Sequence, residues 1–162
     1  MYPGHEIQIR KANLADIDAI VELSANLFME DAGQHDPFMD LDWPLKEGKG
    51  YYSGIITGAN SLCLVADAGD QLVGFLTGYI RRDSSMRPVR MAELESMFVD
   101  QAYRKQAVGA RLAKNFLEWC RSKGARRVSV TAYWANEGAI AFYKRLGFEP
   151  RELTLELGIT SV

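Results

Sequence analysis

The chain is short of the residues that metal, disulfide and nucleotide chemistry need. It carries two cysteines in 162 residues. Cys63 sits in an apolar run and Cys120 in a helical stripe, settings that predict small buried hydrophobes and not a disulfide framework. The only histidines, His5 and His35, show no zinc-like spacing to each other or to a cysteine, so no metal is expected. Neither Gly-x-x-x-x-Gly-Lys-[Ser/Thr] nor Gly-x-Gly-x-x-Gly occurs, which excludes a P-loop and a Rossmann turn. A nucleotide- or flavin-binding domain lacks its phosphate motif. No apolar run approaches the roughly 18 residues of a membrane span, and no charged stretch leads into an apolar one near Met1. The expectation is a cytoplasmic protein with no membrane partner. The net charge of −2 lacks the basic surplus that nucleic-acid binding uses. Internal repeats and low-complexity tracts are missing too.

What remains is ordinary globular material, 48% hydrophobic and 25% charged, at a length that predicts one domain over 1–162. Ile7 to Arg10 reads as a first strand. Asn13 is placed to cap the following helix, where Ile17, Ile20, Val21, Leu27 and Phe28 recur at helical spacing. Glu30 to Pro44, rich in Asp, Gly and Pro, reads as a long loop, and helical pattern resumes weakly from Leu45 to Thr57. Ser61 to Asp67 and Gln71 to Arg81 form strands around the Ala68-Gly69-Asp70 turn, and Val89 to Val99 forms a third. From Ala107 to Lys123 the residues Val108, Leu112, Phe116, Leu117 and Cys120 make a buried stripe, ended by Gly124. Arg127 to Ala132 is a strand and Gly138 to Leu146 a short helix. Leu153, Leu155 and Leu157 alternate with Glu152, Thr154 and Glu156 as a half-buried last strand. Consecutive strands must run parallel only across the helix 107–123, because that crossover needs a helical connection. The fold class is α/β, with a mixed, mostly antiparallel sheet.

The segment Tyr103-Arg104-Lys105-Gln106-Ala107-Val108-Gly109-Ala110 follows a strand and opens directly into a helix. Small residues there let main-chain N–H groups approach a ligand at the positive end of the helix dipole, which makes a phosphate cradle. Downstream lies Asn136-Glu137-Gly138-Ala139-Ile140-Ala141-Phe142-Tyr143-Lys144-Arg145-Leu146-Gly147-Phe148. Together the two segments resemble the GNAT superfamily of acyl-CoA-dependent N-acyltransferases. Arg104 to Gly109 matches that family's pyrophosphate motif (Arg or Gln, two residues, Gly, one residue, Gly or Ala), with Ala107 in place of the first glycine. A methyl group at that place predicts a φ below zero. The downstream segment matches the signature N-x-x-A-I-x-F-Y-x-x-x-G-F. Ala92 to Asp100 is similar to the family's fourth strand, so the likeness is dense over 91–150.

The resemblance implies a GNAT-like sheet with a splayed parallel pair, helices on both faces, and a thioester lying in the gap. It implies acetyl-CoA as cosubstrate, coenzyme A as a partner, and an amine as acceptor. Backbone N–H groups of Gln106, Ala107, Val108, Gly109 and Ala110 are expected on the pyrophosphate, with any side chain at Gly109 standing between them and the ligand. Arg104 and Lys105 either add charge to the cradle or face solvent. Met97, Phe98 and Val99 match the stretch that pairs with the pantetheine arm. Asn136 caps the short helix or touches that arm. Tyr143 matches the proton donor to the leaving thiolate, since a phenol of pKa near ~10 stays protonated at pH 7. Glu95 matches the position of a general base. The bland reading of Glu95 is a solvated strand carboxylate, and Glu93, on the same face, is open as a substitute. Glu30, Asp31, Asp36, Asp40 and Asp42 crowd one loop with Phe38 and Trp43. That favours a cationic amine if the loop is more than solvated turn chemistry, and Tyr133 and Trp134 are candidates for the same side. A non-catalytic acyl-CoA-binding module and a homodimer both stay open.

Overall fold

The structure is a computed structural model and describes residues 6–160, so His5 lies outside it. Strand β1 (Gln8–Lys11) leads into a 3-10 turn, Leu14–Asp16. Asn13 caps that turn by accepting from the Ala15 N–H, and Asp16 accepts from the Asn13 N–H in return. Helix α1 (Ile17–Leu27) continues it and buries Ile20, Val21 and Leu23. The chain then widens into a π-helical turn, Phe28–Ala32, and a single helical turn, Gly33–His35. Half of the expected long loop is therefore helical. Helix α2 spans Trp43–Thr57 with Pro44 in its first turn, where a missing N–H costs nothing.

Strands β2 (Ser61–Asp67), β3 (Leu72–Ile80) and β4 (Met91–Val99) come next, then helix α3 (Val108–Ser122), strand β5 (Arg127–Val130) and helix α4 (Glu137–Arg145). The sheet order is β1-β2-β3-β4-β5. The first three pairings are antiparallel, and β4 with β5 is parallel across α3, as a helical crossover requires. Helices α1 and α2 cover one face, where Ile20, Tyr52, Val65, Phe75 and Phe98 pack together. Helix α3 covers the other, where Leu112 and Phe116 meet Leu64, Leu76 and Leu94. Each such side chain contributes roughly 1.5–3 kcal/mol on burial. Phe116 reaches the sheet only because position 78 is glycine. A Cβ there would lie 2.3 Å from the Phe116 ring and 2.5 Å from the Glu93 carbonyl oxygen.

Two irregularities in β4 open the sheet around Glu95. Thr77 pairs with Ser96 and Gly78 with Leu94, which leaves Glu95 as the extra residue of a β-bulge. The pairing of β4 with β5 stops at Leu94 and Val130, while β4 runs on to Val99 with no neighbour on that side.

The expected last strand does not form. Residues 151–160 belong to no strand or helix and are exposed, with Leu153 60%, Leu155 84% and Leu157 83% exposed. Alternation gives a segment the face of a strand but not a partner, and a single strand without a ladder bond cannot hold its backbone.

Candidate active site

Helix α3 is preceded at its N-cap by Ala107, whose φ is +61°, with Lys105 at +60°. The expectation of a negative φ at Ala107 is therefore wrong. Two non-glycine residues hold a left-handed conformation that disfavours a Cβ by roughly 1–2 kcal/mol each. Alternation of this kind curls the main chain so that successive N–H groups face one hollow. The first bond of the helix runs from the Arg111 N–H to the Ala107 carbonyl at 3.0 Å. The N–H groups of Val108, Gly109 and Ala110 precede it and have no intrahelical acceptor. Lys105, Gln106 and Ala107 are exposed. This hollow can take a pyrophosphate.

Gly109 has a different job from the one the sequence predicts. A Cβ at that position would point toward Phe142, 3.3 Å from its ring, and toward Val99 at 3.8 Å. The missing side chain lets α4 close against α3; it does not clear the way to the hollow.

Arg104 reaches back across the turn. Its Nε donates to the Val99 carbonyl at 2.8 Å and its two terminal nitrogens hold Glu30 at 2.6 and 2.7 Å, with the guanidinium 5.4 Å above the Phe98 ring. Its side chain is 36% exposed and its charge is shared with Glu30. It ties the unpaired end of β4 to the π-helical turn. Its bond also shows that the Val99 main chain faces away from β3, since the Asp100 N–H donates to Val73 there. By strand alternation Met97 and Val99 present their main-chain groups to the gap, while Phe98 turns its own toward β3 and its ring into the core.

Glu95 projects from the bulge and is exposed. The Tyr51 hydroxyl donates to its Oε1, and Thr77 Oγ1 donates to Oε2 at 3.3 Å. Burial, and then the hydrogen bond to Glu95, push the Tyr51 phenol well above its ordinary range. Tyr51 is held in turn by Trp43 edge-on at 5.3 Å, and Trp43 stacks on Phe28 at 5.7 Å. Glu93 shares the face but is occupied by Arg81 at 2.7 Å.

Across the gap, Tyr143 lies on α4 between the rings of Phe142 and Phe148, at 5.3 and 5.7 Å. Burial first, and then the charge of Asp31, raise its phenol to about 12, so it holds its proton at neutral pH. Asn136 caps α4 by accepting from the Ala139 N–H at 3.0 Å, and its Nδ2 donates to Asp31 at 2.8 Å. Of the five acidic residues in the 30–42 segment, Glu30 is taken by Arg104, and Asp40 by Lys46 at 2.9 Å. Asp42 lies at the start of α2 without capping it. Asp31 and Asp36 turn toward α4 and β5. Tyr133 donates to Asp36 at 3.4 Å and lies tilted against the His35 ring at 5.3 Å, while Trp134 and Phe38 are exposed. Cys63 and Cys120 are free and buried, and burial raises their thiols to about 12 and about 11.

Tyr51, Thr77 and the Arg104–Glu30 tie are not legible in the sequence. The one available signal is the pair Tyr51-Tyr52. Only Tyr52 fits the buried stripe of α2, which leaves Tyr51 an aromatic residue without a core role.

These features define a class. The Acetyltransferase (GNAT) family model matches residues 17–148, and the chain belongs to that family. Its sheet, parallel pair and flanking helices are the GNAT fold. An uncharacterized N-acetyltransferase of Methanocaldococcus jannaschii is 34% identical over 89 residues, which is 55% of this chain and 39% of that protein. The chain thus spans well under half of that relative. A putative [ribosomal protein bS18]-alanine N-acetyltransferase of Bacillus subtilis is 25% identical over 142 residues, covering 88% of this chain and 80% of that one. The crystal structure of the aminoglycoside N-acetyltransferase AAC(6')-Iy in complex with CoA superposes with a TM-score of 0.73 at 19% identity, over 95% of this chain and 100% of that one. Among the described residues no helix is long and apolar enough to cross a membrane, and no His, Cys, Asp and Glu group could hold a metal ion.

Proposed function

We propose that residues 1–162 act as one catalytic domain that moves an acetyl group from acetyl-CoA to a primary amine by direct attack in a ternary complex. The observation that carries this reading is the end of β4. Beyond Leu94 no strand pairs with it on one side, where only the Val99 carbonyl is taken, by Arg104; Glu95 lies at the start of this stretch and the open N–H groups of α3 past its end. Acetyl-CoA supplies an acyl carbon activated by a thiolate leaving group. The α3 N–H groups take the pyrophosphate, and Met97 and Val99 offer main-chain groups to the pantetheine amides as another strand would. The Val99 N–H would donate to the thioester carbonyl oxygen, which gains charge as the amine adds to the carbon and returns it as the carbon–sulfur bond breaks. Glu95, steadied by Tyr51 and Thr77, takes a proton from the attacking amine. An alkylammonium of pKa near ~10 has no lone pair until that proton leaves. Tyr143 gives its proton to the departing thiolate.

Asp31 and Asp36, with Tyr133 beside them, favour an acceptor that keeps a second positive charge. Two similar proteins are named for different acceptors, one for an alanine of a ribosomal protein and the other for aminoglycosides, and neither fixes the acceptor of this chain. Thiol release from acetyl-CoA, measured against polyamines, aminoglycosides, amino acids and peptides with free amino termini, tests the reading. Release with one or more cationic amines is expected. Tight CoA binding with no release against any amine would overturn it and leave a non-catalytic binding module.

A further inference from the structure

We propose that the cavity enclosed by the end of β1, the loop after α2 and the end of α3 binds a small dianion, a phosphate or a short dicarboxylate. The cavity measures about 180 Å³, and Lys11, Ile56, Ala59, Leu62, Trp119 and Lys123 line it. That is room for several water molecules or for one ligand of this size. The cavity stands apart from the acetyl-transfer machinery. Helix α3 runs 15 residues, roughly 22 Å, with the open N–H groups at its first turn and the cavity at its last. A ligand here is therefore independent of the proposed reaction.

The lining carries two cations and no acid. Lys46 and Lys49 each hold an aspartate, at 2.9 and 2.8 Å, whereas neither Lys11 nor Lys123 meets a carboxylate among the described residues. Lys11 shares its strand face with Ile9, which packs on the α3-side core, so its side chain stands on the same side of the sheet as Trp119. Lys123 is already positioned. Its Nζ donates to the Ala59 carbonyl at 3.1 Å and lies 6.0 Å from the centre of the Trp119 ring. One carbonyl uses one of three ammonium donors and leaves the charge uncompensated. Two other lining groups that could have solvated the ammoniums are engaged elsewhere: the Ser61 hydroxyl donates to the Ile55 carbonyl at 2.8 Å, and the Cys63 carbonyl takes the Ala12 N–H at 2.9 Å. Two like charges around one hollow repel, and a dianion between them removes the repulsion and fills their open donors together. Ile56, Leu62 and the Trp119 indole supply an apolar wall for the carbon chain of a short diacid, while phosphate would occupy the polar part alone.

Titration of the CoA-saturated protein with inorganic phosphate and with succinate tests this, followed by NMR at the Trp119 indole and the Ala59 amide. A constant background of about 0.15 M chloride screens diffuse attraction. The expected result is a saturable shift at both positions with a Kd of about 1 mM or tighter. Lys11→Gln/Lys123→Gln should weaken that binding by about 100-fold or more, since two charge-assisted contacts are lost, and leave CoA affinity at its wild-type value. Ala59→Glu, at an exposed position, puts a carboxylate beside Lys123 and should weaken binding by at least about 10-fold with both lysines in place. A double variant that fails to fold thus leaves the test intact. Saturation by phosphate alone assigns a phosphate site, and saturation by succinate alone a dicarboxylate site; either supports the proposal. A linear, unsaturated response to both probes would overturn it. So would saturable binding that persists unchanged in Ala59→Glu or in the folded double variant.

Discussion

Ala110→Glu should strengthen the fold and weaken coenzyme A binding. Position 110 is the third residue of α3, its N–H is one of the three open donors, and its side chain is only partly buried. A carboxylate in the first turn of a helix stabilises by about 0.3–1 kcal/mol through the macrodipole, against a few tenths lost in helix propensity relative to Ala. The melting temperature should hold or rise by about 1–3 °C in a domain of this size. The same charge stands beside the hollow where a pyrophosphate would sit. Two unit charges ~5 Å apart at an effective dielectric near 20 repel by about 3 kcal/mol. Screening reduces that to about 2 kcal/mol, or roughly 30-fold in Kd. Ala110→Gln brings the same bulk without the charge and serves as the control. Calorimetric titration with CoA and a thermal melt on each variant give the four numbers needed. If Glu and Gln variants bind CoA within about twofold of each other while both are folded, the pyrophosphate does not lie at the start of α3 and the cradle assignment fails.

Tyr143→Phe should lower turnover by about 10²–10⁴-fold with acetyl-CoA affinity near wild type, as expected when a general acid is removed; unchanged single-turnover rates would take Tyr143 out of the chemistry. With its phenol near 12, Tyr143 should leave no alkaline limb in the rate profile below about pH 10. Tyr51→Phe removes the hydroxyl that holds Glu95 Oε1, so turnover should fall by about 10-fold while CoA affinity stays near wild type. Unchanged turnover in a single-turnover assay would mean that Tyr51 does not position Glu95. Ala107→Gly relieves a left-handed Cβ at φ +61° and should raise stability by about 0.5–1 kcal/mol in a denaturant titration; a loss would mean that Ala107 is not strained there.

The parallel step of β4 and β5 was legible because periodicity switches from two to 3.6 and back between Met91 and Val130, and only a helical crossover fits. The caps at Asn13 and Asn136 and the ends of α3 and α4 at Gly124 and Gly147 were legible because each is a local main-chain demand met by one side chain. What escaped depends on contacts far apart in sequence. Glu30 meets Arg104 and Tyr51 meets Glu95 only after the sheet brings them together. The π-helical turn at Phe28–Ala32 hides inside a polar stretch that reads as loop, yet it directs Glu30 to Arg104 and Asp31 to Asn136. The last strand misled for a different reason. Its alternation is genuine, but the pattern states which face wants burial and not which edge supplies the partner.

In the proposed reaction the acetyl group passes in one step from the thioester to an amine beside Glu95. Both thiols are buried and pushed far above neutral pH, so neither Cys63 nor Cys120 is a credible acyl carrier. Mixing the protein with an equal amount of acetyl-CoA labelled in the acetyl group, with and without the best amine of the panel, measures this directly. Direct transfer predicts no labelled protein and no thiol release without amine, and a single phase with amine in which thiol and acetylated amine appear together. A burst of thiol equal to the protein concentration, with the label on the protein before any amine is added, would refute direct transfer.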